Sequence, residues 1–304
     1  MPTPGFLRRN LETRARIVEA IRCFFRDEAF LEVETPVRYP CPAPELHVEA
    51  MRSEDWYLST SPELHMKRLL ADGYESIFQI GKCFRRAERG RIHNPEFTLL
   101  EWYRAGTDYL GMLADMERLI PFICSYLGRP AHVEYQGTAI DFSPPWIRMT
   151  IREAFQRFAG WSPGPCPDSD RFDVDLVDKI EPALDKRHPT VLLDYPASMC
   201  SLARLKPGDP DVAERLEVYA GGLELANAFS ELTDAAEQRR RFVVENEKRC
   251  RLGREPYPIP ERFLSVVGRM PPSGGCALGI DRLVMLFCDA QSIDEVVSFT
   301  VETA

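Results

Sequence analysis

Two apolar, β-prone stretches, Ile77 to Phe84 and Phe97 to Tyr103, flank a short turn that holds Arg85, Arg86, Arg89, Arg91 and His93. This pattern constrains the fold most, because it demands an antiparallel pair joined by a densely cationic loop. Alternation along the second strand puts Phe97, Leu99, Glu101 and Tyr103 on one face and Thr98, Leu100, Trp102 and Arg104 on the other. A carboxylate on a half-buried face requires a cationic partner, since an unpaired buried charge is costly. Either a structural Arg or Lys or a substrate ammonium meets that demand at Glu101. Crowded guanidiniums repel one another unless solvent or a polyanion lies among them. The turn is therefore either an exposed basic loop or a phosphate clamp, to which planar guanidinium forks are suited.

The other elements follow from period and punctuation. Leu11 to Asp27 carries Ile17, Ala20, Ile21, Phe24 and Phe25 at helical spacing, and Phe30 to Pro36 reads as a short strand. Ser61-Pro62-Glu63 reads as a helix start: an N-cap, a proline at the first helical position and an acid in the first turn. Leu216 to Ala220 and Leu223 to Phe229, split by Gly221-Gly222, predict a hairpin. A polar helix is expected from Asp234 to Leu252, and a strand from Cys276 to Ile280 runs into a helix at Asp281. Gly106 to Arg204 reads as less regular, with Trp161 to Asp170 a surface loop. Strands paired through short turns, with helices between, give an α+β fold with an antiparallel β-sheet flanked by helices. Glu224 and Glu231 are spaced along a strand end, able to hold Mg²⁺ on a triphosphate or to pair with basic neighbours.

The formal net charge of −9 argues against a dedicated nucleic-acid-binding domain, which neutralises phosphates with Lys and Arg. Nine cysteines lie scattered with no C-x-x-C pair, as expected of free thiols in a reducing cytoplasm rather than a zinc or disulfide framework. No signal sequence and no membrane-spanning apolar run are read.

The order of these pieces resembles the class II aminoacyl-tRNA synthetases. Phe30 to Val37 is similar to motif 1, Phe84 to Tyr103 to motif 2 and Gly274 to Leu286 to motif 3. The wording is of the lysyl type: Ser-Pro-Glu-x-x-x-Lys-Arg-Leu at Ser61, His-Asn-Pro-Glu-Phe at His93, and Glu-Leu-Ala-Asn-x-Phe-x-Glu-Leu at Glu224. The catalytic core starts almost at the first residue, leaving no room for the OB-fold that reads the anticodon. Ala277 and Ser61 stand where lysyl-tRNA synthetases usually have Gly and Ala. The chain therefore resembles the synthetase paralogues that attach β-lysine to elongation factor P.

The resemblance implies a single class II catalytic domain over residues 1–304, a homodimer, ATP and Mg²⁺ as cofactors, (R)-β-lysine or lysine as substrate, and elongation factor P as acceptor. No anticodon binding is expected. By the same resemblance Arg85, Arg282 and Glu231 are catalytic. The ATP site takes Arg85, Arg86, Ala87, Glu88, His93, Asn94, Phe97, Glu224, Leu225, Gly279 and Arg282. The amino-acid site takes Ser61, Pro62, Glu63, Glu101, Tyr103, Asn227, Glu231 and Ala277, and the metal takes Glu224 and Glu231. Two departures stand out: Arg85-Arg86-Ala87 replaces the family's Arg-Asn-Glu, and Ala228 replaces a glycine. The alternatives are a truncated lysyl-tRNA synthetase acting on α-lysine, an asparagine synthetase of the same fold, and a non-catalytic ATP-binding regulator.

Overall fold

The computed structural model describes residues 4–304. Eight α-helices surround a nine-stranded sheet, which confirms the α+β reading. The strands of that sheet are β1 (Leu31–Glu32), β2 (Ser76–Phe84), β3 (Glu96–Ala105), β4 (Ile147–Thr150), β5 (Thr190–Pro196), β6 (Leu205–Lys206), β7 (Asp209–Ala220), β8 (Leu223–Ser230) and β9 (Ser273–Gly279). Their spatial order is β1-β2-β3-β9-β8-β7-β5-β4, with β6 paired to β7.

The centre of the sheet is antiparallel, but β1 runs parallel to β2, and β4 parallel to β5. The sheet is thus mixed at its two edges, where long connections replace the tight turns that antiparallel pairing allows. β1 is also shorter than the Phe30 to Pro36 expectation. Beyond it the Val33 N–H still bonds Phe78 O at 2.8 Å, but the Thr35 N–H turns to the Gln79 side chain at 2.9 Å. Pro36 then has no N–H to offer.

One face of the central strands carries Leu100, Trp102, Cys276, Leu278, Ala226 and Ala228, all buried in the main core. Three helices cover this face: α1 (Pro4–Asp27), α3 (Tyr109–Tyr126) and α8 (Ile280–Phe287). Phe25 of α1 stacks on Phe78 with centroids 4.8 Å apart and leans on Trp102 at 5.4 Å. The remaining helices are α2 (Glu63–Ala71), α4 (Ile151–Phe158), α5 (Ser169–Asp175), α6 (Ala235–Arg251) and α7 (Glu261–Val267).

The hairpin of β7 and β8 turns through Gly221 and Gly222 at φ +60° and +80°, a left-handed pair suited to a two-residue loop. A Cβ at Gly221 would also lie 2.8 Å from the Ile140 and Tyr135 side chains, so glycine is required there on both counts. α6 begins where expected, with the Asp234 carboxylate accepting from the Ala236 and Glu237 N–H groups. The sequence missed α3, which fills part of the Gly106 to Arg204 stretch. Its Asp108 cap accepts from Leu110 and Gly111 N–H, but Pro121 within it and apolar residues around much of its girth hide the period. β4 and β5 in the same stretch were missed as well.

Candidate active site

The opposite face of the central sheet is the floor of a cleft. Cross-strand register lines up Glu101, Ala277, Asn227 and Glu217 in one row over β3, β9, β8 and β7. The adjacent row is Tyr103, Gly275, Phe229 and Arg215. A bulge then intervenes, for Val218 pairs with Ala226 but Tyr219 with Glu224. The extra residue is Leu225, and it turns Glu224 onto the cleft side despite its odd spacing from Asn227.

The cleft has two compartments. The larger, about 450 Å³, is bordered by Ser61, Glu63, Glu101, Tyr103, Asn227 and Ala277. The smaller, about 170 Å³, is bordered by His93, Asn94, Phe97, Gly279 and Arg282. Arg85, Glu224, Asn227 and Ala277 border both, so the compartments meet at the Arg85 guanidinium.

The larger compartment is built to receive positive charge. Glu101 is buried and accepts hydrogen bonds from Ser61 Oγ at 2.5 Å and Tyr103 OH at 2.8 Å, with no Arg or Lys bonded to it. Burial and the nearby Glu63 carboxylate push it up to about 7, against those two bonds and Lys67. Ser61 has a second role, accepting the Glu63 N–H at 3.0 Å, while α2 itself starts one residue later than expected, with Pro62 at its N-cap.

Lys67, one helical turn along α2, is buried. It donates to Glu63 Oε1 at 2.5 Å, contacts Glu231 Oε2, and lies 4.9 Å over the Phe229 ring. Burial opposes its charge, yet the carboxylates of Glu231 and Glu63 raise its pKa. Burial likewise lifts Glu231 to about 8, with Lys67 pulling down and Glu63 and Glu101 adding to the rise. When ionised, the three carboxylates exceed this one cation by two charges. Glu231 Oε1 and Asn227 Oδ1 are buried without hydrogen-bond partners.

Gly275 keeps this arrangement possible, because a Cβ there would collide with Glu231 Oε1 and the Tyr103 ring. Gly275→Ala is expected to raise the amino-acid KM at least ~10-fold by displacing the carboxylate while leaving the ATP KM near its original value, since overpacking costs about 1–3 kcal/mol. Steady-state kinetics in each substrate checks this, and an unaltered amino-acid KM would refute the crowding argument.

The smaller compartment suits phosphate. Arg85 lies 5.1 Å over the Phe97 ring, its Nε has no hydrogen-bond partner, and its carboxylate contact is Glu88 at 3.9 Å. Arg282 donates to Glu224 Oε2 at 3.0 Å and to His93 Nε2 at 2.6 Å. Burial, Arg282 and Arg85 depress His93 to about 4, so a neutral ring accepts that bond at neutral pH. Asn94 Oδ1 is buried without a partner. Gly279 caps α8, and Leu225 borders the same space.

Two expected ATP residues stand elsewhere. Arg86 and Ala87 border a separate outer groove of about 740 Å³ with Glu49, Arg249 and Tyr257, while Glu88 faces the smaller compartment. The left-handed φ of +65° at Ala87 reverses the chain there and separates the two side chains from the nucleotide side.

Glu224 and Glu231 are not brought together either. Seven residues of strand put them about 20 Å apart along β8, and Glu231 is committed to Lys67. The acids near Glu224 are Glu217 and Glu181. Burial and then Glu217 raise Glu224, whereas burial, Glu224 and Glu217 raise Glu181 to about 7. A concentration of carboxylates that resist ionising together fits a hard divalent cation. Among the described residues no set of three metal-ligating side chains is preassembled, so oxygens of a bound phosphate would have to complete the shell. Glu217 and Lys67 were the functional residues missed in sequence. Glu217 is revealed only by strand register, and Lys67 only by its i, i+4 spacing from Glu63.

The sequence matches the family described as tRNA synthetases class II (D, K and N) over residues 5–303. It is 39% identical to an elongation factor P--(R)-beta-lysine ligase from Hamiltonella defensa, covering 97% of this chain and 96% of the relative. It is 38% identical to the protein of that name from Vibrio cholerae, covering 98% and 97%. A lysine--tRNA ligase from Moorella thermoacetica is also 38% identical, covering 94% of this chain, which spans only 64% of that relative's length. No described helix is long and apolar enough to cross a membrane.

Proposed function

This chain belongs to the tRNA synthetases class II (D, K and N), and on that footing we propose that it is a protein-modifying ligase. It activates (R)-β-lysine with ATP and transfers the acyl group to a lysine of elongation factor P. The observation that carries this reading is the acidic compartment of Glu63, Glu101 and Glu231, whose surplus of two negative charges matches the two ammonium groups of a diamino acid. The two elongation factor P ligases that match almost end to end support the choice of acceptor. The reading treats the chain as a single catalytic domain acting as a homodimer in the cytoplasm, without anticodon binding.

In the first step a carboxylate oxygen of the amino acid bonds the α-phosphorus of ATP as the bond to pyrophosphate breaks. Arg85, at the junction of the compartments, takes the charge that grows on the α-phosphate. Arg282, held by neutral His93, meets the outer phosphates from the start of α8. Glu63, Glu101 and Glu231 fix the ammonium groups, and the floor holds the carboxylate in line. Glu217 and Glu224 would hold Mg²⁺, which neutralises triphosphate charge when bound. In the second step the acceptor amine attacks the acyl carbon, and AMP leaves.

ATP–pyrophosphate exchange with β-lysine, α-lysine and aspartate, followed by transfer to elongation factor P, tests this. Exchange led by β-lysine with subsequent acceptor labelling is expected. Exchange led by α-lysine without labelling would overturn it in favour of a tRNA ligase fragment, and no exchange would favour a regulator.

Ala277 sits between Glu101 and Asn227 in the floor row, where its methyl occupies space that glycine would leave free. Ala277→Gly is expected to shift the ratio of kcat/KM values toward α-lysine by about 10-fold or more, the scale of one methylene in a pocket. An unmoved ratio would rule the methyl out as a selector.

A further inference from the structure

Seven carboxylates border the larger compartment, and among the described residues six of them have partners. Glu63 is paired with Lys67, Glu224 with Arg282, Glu245 with Lys248, and Asp173 with His47. Glu101 and Glu217 accept hydrogen bonds from Tyr103 and Tyr195. The exception is Glu45. Its backbone is anchored, with its carbonyl accepting from Arg249 at 3.1 Å, yet its half-buried carboxylate has no hydrogen bond or ion pair. A fixed main chain carrying a free acid at the edge of a reaction cavity is unusual, because partly buried carboxylates ordinarily take a donor.

The acyl-transfer reading leaves one chemical requirement unmet. A lysine side chain enters as an ammonium, which has no lone pair, so a proton must leave before nitrogen can attack. None of the partnered acids is free to take it. We propose that Glu45 is the general base of the transfer step, accepting a proton from the incoming acceptor ammonium. The released amine then bonds the acyl carbon as the bond from that carbon to the adenylate oxygen breaks. The second proton on nitrogen passes to the departing phosphate, which completes the amide and AMP.

The surroundings suit that work. Glu63 from α2, Arg85 from the cationic turn, Arg215 from β7 and Glu245 from α6 are the charged groups that act on Glu45. Burial and Glu63 push it up to about 7, Arg85 and Arg215 draw it down, and Glu245 adds to the rise. A base near neutral pH is ionised often enough to act and basic enough to help. Arg85 also marks where the adenylate phosphate lies in the proposed first step, so Glu45 stands beside the bond that breaks.

This inference rests on the ligase reading, and the test separates the two. Wild-type enzyme is charged with β-lysine and ATP, and acyl transfer is timed to elongation factor P and, separately, to hydroxylamine. Hydroxylamine is already neutral at neutral pH and needs no base. In Glu45→Gln the ratio of protein to hydroxylamine transfer is expected to fall about 100-fold, the lower range for a lost general base. Glu45→Asp should recover part of the ratio. The wild-type rate to the protein should rise with pH through about 7, and the variant should lose that limb. Parallel losses with both acceptors would overturn the proposal in favour of a structural role, and an unchanged ratio would assign the proton to the adenylate phosphate or water. Failure of the wild type to exchange pyrophosphate would instead refute the ligase reading itself.

Discussion

Arg85→Ala is expected to lower ATP–pyrophosphate exchange by about 10³-fold while the protein keeps its fold. The size follows from position: losing one preorganised charge-stabilising donor costs roughly 10²–10³ in rate, and Arg85 serves both compartments. Its indifference to folding follows from its partners. Nε is unbonded, Glu88 is 3.9 Å away, and the side chain is 30% exposed, so few stabilising contacts are lost. Surface changes without strong contacts shift stability by only about 0.5 kcal/mol. Arg85→Lys should restore little, because a point charge lacks the planar fork that meets two phosphate oxygens. Near-normal exchange by an alanine variant with unchanged thermal unfolding would defeat the assignment.

That result would also bear on which parts of a site sequence can disclose. The β2–β3 pair and its cationic turn were legible because strand period and turn chemistry are local, and Glu101 emerged from alternation alone. The ambiguity at Glu101 needed the structure: its partners are Ser61 and Tyr103, with no cation bonded. Arg86 and Ala87 follow Arg85 directly, yet one left-handed residue sends them to another groove. Glu217 could not be read at all, since its place opposite Asn227 is a fact of register between strands. The Leu225 bulge similarly changes which acid faces the cleft, and a single local conformation carries no plain mark in composition. The fold was misread where an element is apolar all round, as in α3, because period vanishes when little of the helix faces water.

Lys67 carries the second large effect, and for it the energetic argument is sharper than for any other site residue. Its ammonium is 1% exposed and is held between Glu63 and Glu231. A buried ion pair is weak evidence of net stabilisation, because desolvation offsets attraction. Removing one partner alone is different, for it strands the other charge at about 3–5 kcal/mol. Lys67→Met keeps the volume and deletes the charge, so a loss on that scale is expected at alkaline pH. The sign of its pH dependence is fixed. Glu231 already lies at about 8, above its unfolded range, and without Lys67 it rises further. A carboxylate raised on folding costs stability as pH climbs past its unfolded pKa, so the deficit of Lys67→Met should be small near pH 5 and grow through pH 8. Adding Glu231→Gln removes the stranded charge and should recover much of the loss in chemical denaturation. It should not restore amino-acid activation, because the acidic surplus that receives the substrate is diminished. A single variant with the same deficit at both pH values, or a double variant with no recovery, would mean that Lys67 acts through packing against Phe229 rather than by holding the two carboxylates in their charged form.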